Sequence, residues 1–218
     1  MAVKREPGIA ESPPRRYAGK SLEERRGDQH ERLIAAARDV FARRGFAAAG
    51  IDEIVAEARV SRSSFYSFFA NKEQCLLAVL EAGTRRIGLA LLEVAAQPLD
   101  PPDRIRAEIT VLAEQFAADP AMARVLLIEA VGATPDVERA RAAARQAAAD
   151  MIEAQLREYP EWRCRSAQER SVVALTTMAA IAESFSHLIA TGRIDQWRTI
   201  VGPVSAYVAR GLGATGEL

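Results

Sequence analysis

Chemically versatile side chains are scarce in this 218-residue chain, which holds two cysteines and two histidines. Cys75 and Cys164 lie far apart and in no metal-ligand spacing, so neither a zinc finger nor a disulfide framework is available. Such cysteine usage fits a reducing cytoplasm and small packing residues. His30 and His187 stand apart, the latter paired only with Glu183 one helical turn earlier. No HExxH, glycine-rich phosphate loop or nucleophile motif accompanies them, so no enzyme, metal site or cofactor is expected. There is no signal-peptide core and no run of about 18 apolar residues, so neither secretion nor membrane spanning is expected. Strand-like alternation is missing too, which points to an all-α fold.

An excess of one charge is also lacking, with 29 Lys/Arg against 29 Asp/Glu. The zero total conceals a split. Residues 1–72 contain 14 Lys/Arg against 10 Asp/Glu, and residues 73–218 contain 15 against 19. A positive N-terminal part suits a nucleic-acid face. Residues 1–27 read as a flexible basic arm, rich in Pro and Gly early on, in which Arg15, Arg16, Lys20, Arg25 and Arg26 are placed to reach DNA. From Asp28 to Arg44, Leu33, Ile34, Ala37, Val40 and Phe41 form a helical stripe that ends at Gly45.

The segment 45–72, GFAAAGIDEIVAEARVSRSSFYSFFANK, carries the most information. Ile51, Ile54, Val55 and Ala58 recur at helical intervals, with Asp52, Glu53 and Glu57 opposite. Ser61 is placed to cap a second helix whose Phe65 and Phe69 point inward with Val60. So short a connection forces a steep crossing, the arrangement of a DNA-binding helix-turn-helix. The second helix leaves Arg62, Ser63, Ser64, Tyr66, Ser67 and Phe68 for DNA: hydroxyls for phosphate, Arg62 for a guanine and Phe68 for a thymine methyl. Arg59 in the turn can reach a phosphate. Lys72, at a helix N-terminus where a cation is unfavourable, fits a site beside a phosphate. The same pattern also describes an all-α protein without DNA binding, an interaction scaffold or cryptic enzyme that keeps the helix pair as framework.

Gly45-Phe46, Ile51 to Ile54, Ala58, Val60, Ser61, Phe65-Tyr66, Phe68-Phe69 and Lys72-Glu73 together resemble the signature of the TetR/AcrR family of bacterial transcriptional regulators. The chain departs from that signature at Ala49 and Gly50, where the family has a Thr pair, at Arg59, where it has a left-handed Gly, and at Ser63, where it has Gly. The resemblance implies a homodimer on a palindromic double-stranded DNA operator, a repressor released by a small-molecule effector. It also implies three domains of function: the arm at 1–27, a three-helix DNA-binding domain at 28–74 and an effector-binding and dimerisation domain at 75–218.

Lys72 to about Gln97 reads as one long helix, followed by helices near 103–118, 121–131, 136–158, 167–191 and 196–211. The last two are apolar on more than one face. They fit a four-helix interface between two copies, which the resemblance also implies. The resemblance further implies a pocket beside the long helix. Leu92, Ile109, Leu112, Phe116, Met151, Gln155, Thr177 and Met178 are its candidate walls, suited to a small apolar or amphipathic effector.

Overall fold

A computed structural model describes residues 21–213, and every regular element among them is helical. Most of the expected basic arm lies outside the described residues. The first helix, α1 (Leu22–Arg44), begins well before Asp28. Ser21 caps it: its Oγ accepts from Glu24 N at 3.1 Å while its own N–H donates to Glu24 Oε2 at 2.5 Å. This reciprocal box satisfies two otherwise orphaned donors. Residues 22–27, expected in a flexible arm, are therefore helical. Arg26 lies with its guanidinium 5.3 Å from the Phe68 ring centre.

Helices α2 (Ile51–Ala58) and α3 (Arg62–Tyr66) follow, joined through Arg59 at φ 54° and ψ 48°. That left-handed geometry costs a residue with a Cβ about 1 kcal/mol. The strain is compensated where the chain turns sharply enough to bury Ile54, Val55 and Ala58 against Leu33, Val40 and Phe41 of α1. Phe41 and Phe65 are fully buried, each contributing about 2 kcal/mol by removal from water.

This N-terminal core is completed by α4 (Lys72–Ala95), whose Cys75, Leu76, Val79 and Leu80 all face it. A three-helix bundle of this size is too small to be stable alone, which is why the core runs on into α4. Farther along the same rod, Ile87 joins a second core, built from α5 (Pro101–Ala118), α7 (Pro135–Leu156), α9 (Ala167–Ala190) and α10 (Arg198–Gly211). Short α8 (Pro160–Arg163) ties to the residue just after α10, with Trp162 Nε1 donating to the Leu212 carbonyl at 2.9 Å.

Between the two cores sits α6 (Pro120–Arg124), which runs into a π-helical turn at Val125–Glu129 that the sequence did not announce. Leu126 packs against both cores. Val125 belongs to the N-terminal one and Leu127 to the other. Asp119 caps α6 through Met122 N at 2.9 Å and also receives Arg38 of α1 at 2.8 Å and Arg86 of α4 at 3.2 Å. One carboxylate thus ties three helices together. At Gly83 the backbone of α4 comes so close to α6 that a Cβ would lie 2.6 Å from Met122 Sδ.

Helix α9 comes nearest to a long apolar run among the described residues. It is long and apolar enough by length and composition to cross a bilayer, with a mean hydropathy of 1.5 over 18 residues. Its inner side packs on α7 and carries Ala174, Phe185, Leu188 and Ile189 in the core. Both cysteines are free. Cys75 is sealed in the N-terminal core, where burial pushes its thiol up to about 12, and Cys164 is exposed after α8.

Candidate functional site

The outer face of the α2–α3 pair is built around Ser61. Its hydroxyl accepts from Ser64 N at 3.1 Å and lies 2.8 Å and 2.9 Å from the Ser63 and Ser64 hydroxyls. A five-residue helix is marginal by itself. This cap and the buried Phe65 and Phe69 hold it in place. Arg59, Arg62, Ser63, Tyr66 and Ser67 are exposed on that face, and Ser64 is half-buried. Arg62 pairs with Asp52 at 2.9 Å, yet both side chains remain mostly exposed. An exposed pair of this kind holds the guanidinium only weakly, so a phosphate or base edge can take it. Ser67 donates its hydroxyl to the Ser64 carbonyl at 2.7 Å.

Two expected contact residues point elsewhere. Phe68 is half-buried and packs against His30 and Phe69, with ring centres 5.3 Å and 6.3 Å away, under the Arg26 guanidinium. It is therefore a packing residue and not a free apolar reader. Lys72 directs its ammonium to the carbonyls of Phe46 at 2.6 Å, Ala49 at 2.9 Å and Ala47 at 3.2 Å, over the Phe46 ring. All three protons are engaged. The unfavourable position of a cation at the start of α4 is answered by these oxygens, without an external anion.

The second site is a cavity of about 220 Å³ enclosed by α4, α5, α7, α9 and α10. It brings together Ile109, Leu112, Phe116, Met151, Gln155, Thr177 and Met178. Leu92 is not among them. It is 58% exposed, and its neighbour Leu91 lines the wall instead, since one residue along a helix turns a side chain by about 100°. Glu108 also lines the cavity and was missed by the sequence reading; only its position one turn before Leu112 marked it. A wider opening of about 820 Å³ shares Ile87, Phe116, Leu127 and Met178 with the inner cavity and has Arg141 and Arg145 at its edge.

Residues 33–79 match the family described as bacterial regulatory proteins, tetR family. The chain is 38% identical over 98 residues to the HTH-type transcriptional repressor SCO4008 of Streptomyces coelicolor, an alignment covering 45% of this chain and 47% of that protein. It is 34% identical over 119 residues to the transcriptional regulator AcuR of Cereibacter sphaeroides, covering 51% and 52%. The chain thus spans about half the length of the curated relatives it matches. In fold it is similar to the transcriptional regulator FadR of Bacillus subtilis, solved in complex with stearoyl-CoA, with a TM-score of 0.73 at 16% identity over 84% of this chain and 98% of that one. The match at residues 33–79 falls on the capped, short-linked helix pair described above, so this part of the chain is similar to the domain shared by the tetR family of bacterial regulatory proteins.

Proposed function

We propose that this protein is a cytoplasmic, ligand-responsive repressor that binds a palindromic double-stranded DNA operator as a homodimer. The observation that carries the reading is the outer face of α3, where Arg62, Ser63 and Tyr66 stand exposed on a helix locked by Ser61 and two buried phenylalanines. In a dimer the two α3 helices would enter successive major grooves, about 34–36 Å apart between centres. Arg62 and Ser63 would read base edges, and Arg59, Ser64 and Tyr66 would hold phosphates. Residues 28–74 act as the DNA-reading part and 75–218 as the effector-binding and dimerising part, with α4 shared between their cores.

Coupling would run through α4 and the π turn. Leu127 lines the cavity while Val125, two residues earlier, is packed in the N-terminal core, so a ligand that displaces the first must repack the second. An effector shifts the balance between DNA-competent and released states only by its differential affinity for the two. An apolar or amphipathic molecule fits the cavity walls.

Selection of bound sequences from a random duplex pool tests the reading, followed by titration at several salt concentrations. An inverted-repeat site with strongly salt-dependent affinity is expected. Arg62→Ala should relax preference at one position per half-site, and Tyr66→Phe should weaken all sites alike. A chain that enriches no sequence and shows no salt-dependent DNA affinity is a scaffold, not a regulator.

A further inference from the structure

The polar side chains among the residues that line the inner cavity are Glu108 of α5, Gln155 of α7 and Thr177 of α9, and the first two meet each other there. Gln155 Nε2 donates to Glu108 Oε1 at 2.6 Å. No ion pair joins Glu108 to any described residue. Arg104, whose charge acts on Glu108, directs its guanidinium to Glu158 at 2.9 Å and to the Leu99 carbonyl at 3.3 Å. Burial, with the Glu108 charge adding to it, pushes the Tyr159 phenol up to about 12, which keeps it neutral. The carboxylate is therefore set in an apolar wall with one neutral hydrogen-bond donor and no ion-pair partner among the described residues.

Burial of a carboxylate without an ion-pair partner is unfavourable, and burial raises the Glu108 carboxyl above its ordinary range, with Gln155 and the Arg104 charge opposing. The remaining Glu108 oxygen and the Gln155 amide oxygen are acceptors. A ligand with an ammonium at its polar end would supply the missing partner, and a charge-assisted bond is roughly twice as strong as a neutral one. A carboxylate would instead meet like charge across a short, poorly screened distance.

We propose that this cavity selects small molecules whose apolar body ends in an ammonium or other hydrogen-bond-donating group, received by Glu108 and Gln155, and disfavours chains that end in a carboxylate. The proposal rests on the reading of the cavity as the effector site. Octylamine, 1-octanol and octanoate share one apolar body and differ only at the polar end. Calorimetric titration of each into the intact 218-residue chain should give octylamine at least tenfold tighter than octanoate. In Glu108→Gln the ratio of octylamine to 1-octanol affinity should fall at least tenfold.

Octanoate binding as tightly as octylamine, or an amine-to-alcohol ratio unchanged in Glu108→Gln, overturns the donor selectivity while leaving the cavity reading intact. Failure of all three probes to bind overturns the cavity reading and the proposal with it. Octylamine that binds with the expected selectivity but does not release operator DNA upholds the selectivity and removes the effector role.

Discussion

Three carbonyl oxygens converge on the Lys72 ammonium, and this decides what its loss would do. Hydrogen bonds to a charged group contribute about 1.5–3 kcal/mol when buried and less at a half-exposed site such as this one. Lys72→Met, which keeps much of the stem, should lower stability by about 2 kcal/mol in denaturant titration. The salt dependence of DNA binding should stay as in the parent protein; a slope smaller by one phosphate contact would place the ammonium on DNA. Glu108 gives the opposite sign. Its folded carboxyl is raised by burial, with Gln155 and Arg104 opposing and Glu158 adding to the rise. The folded state therefore holds that proton in a window above the unfolded value of about 4.3, and stability falls as pH rises through it. Glu108→Gln should remove this slope and raise the melting temperature of the empty protein at neutral pH. A lower melting temperature there would mean that the carboxylate is stabilising.

At the scale of helices, Gly83 shows how closely α4 and α6 approach. A methyl group added there meets Met122 Sδ at 2.6 Å and Leu126 Cδ1 at 3.1 Å, in the seam between the two cores. Overpacking of this kind costs about 1–3 kcal/mol, set against a gain of about 1 kcal/mol in helix propensity. Gly83→Ala should be destabilised by up to about 2 kcal/mol, and Gly83→Ala/Met122→Ala should be more stable than the sum of the single changes, as measured in a double-mutant cycle. Additive losses would mean that the two residues do not compete for space. Helix boundaries were largely legible because proline and capping residues mark them: α4, α5, α7, α9 and α10 fall within a few residues of their sequence limits. The start of α1 was missed: Ser21 and Glu24 mark it as a capping box, but the basic, proline-rich residues before it led the reading of residues 1–27 as an arm. The π turn was not legible, since Val125–Glu129 has no composition that separates it from an α-helix. The roles of Phe68 and Lys72 were invisible for another reason. Their partners, His30 and Arg26 on α1 and the carbonyls at 46–49, come from other parts of the chain.

Over the whole molecule, α9 and α10 keep one side outward. Val172, Leu175, Thr176, Ala179, Glu183 and His187 recur along α9 at spacings of three and four, and Gly202, Pro203 and Tyr207 stand out on α10. These faces, apolar or small except at Thr176, Glu183 and His187, suit the expected four-helix interface between two copies. Ala179→Arg would place a long cation at its centre. Sedimentation should then show a monomer, and operator affinity should fall by at least tenfold as half-sites come to be bound singly; a dimer that persists would move the interface to another surface. The charge division seen in the sequence has its counterpart here, with Arg59 and Arg62 exposed beside α3. The two thiols add a practical consequence. Cys164 is open to solvent and Cys75 is sealed among Leu76, Val79 and Phe65, so the unmodified protein offers one addressable position for a fluorophore. A second label can enter only when the N-terminal core opens, and its rate of uptake, with and without operator DNA, would time that opening directly.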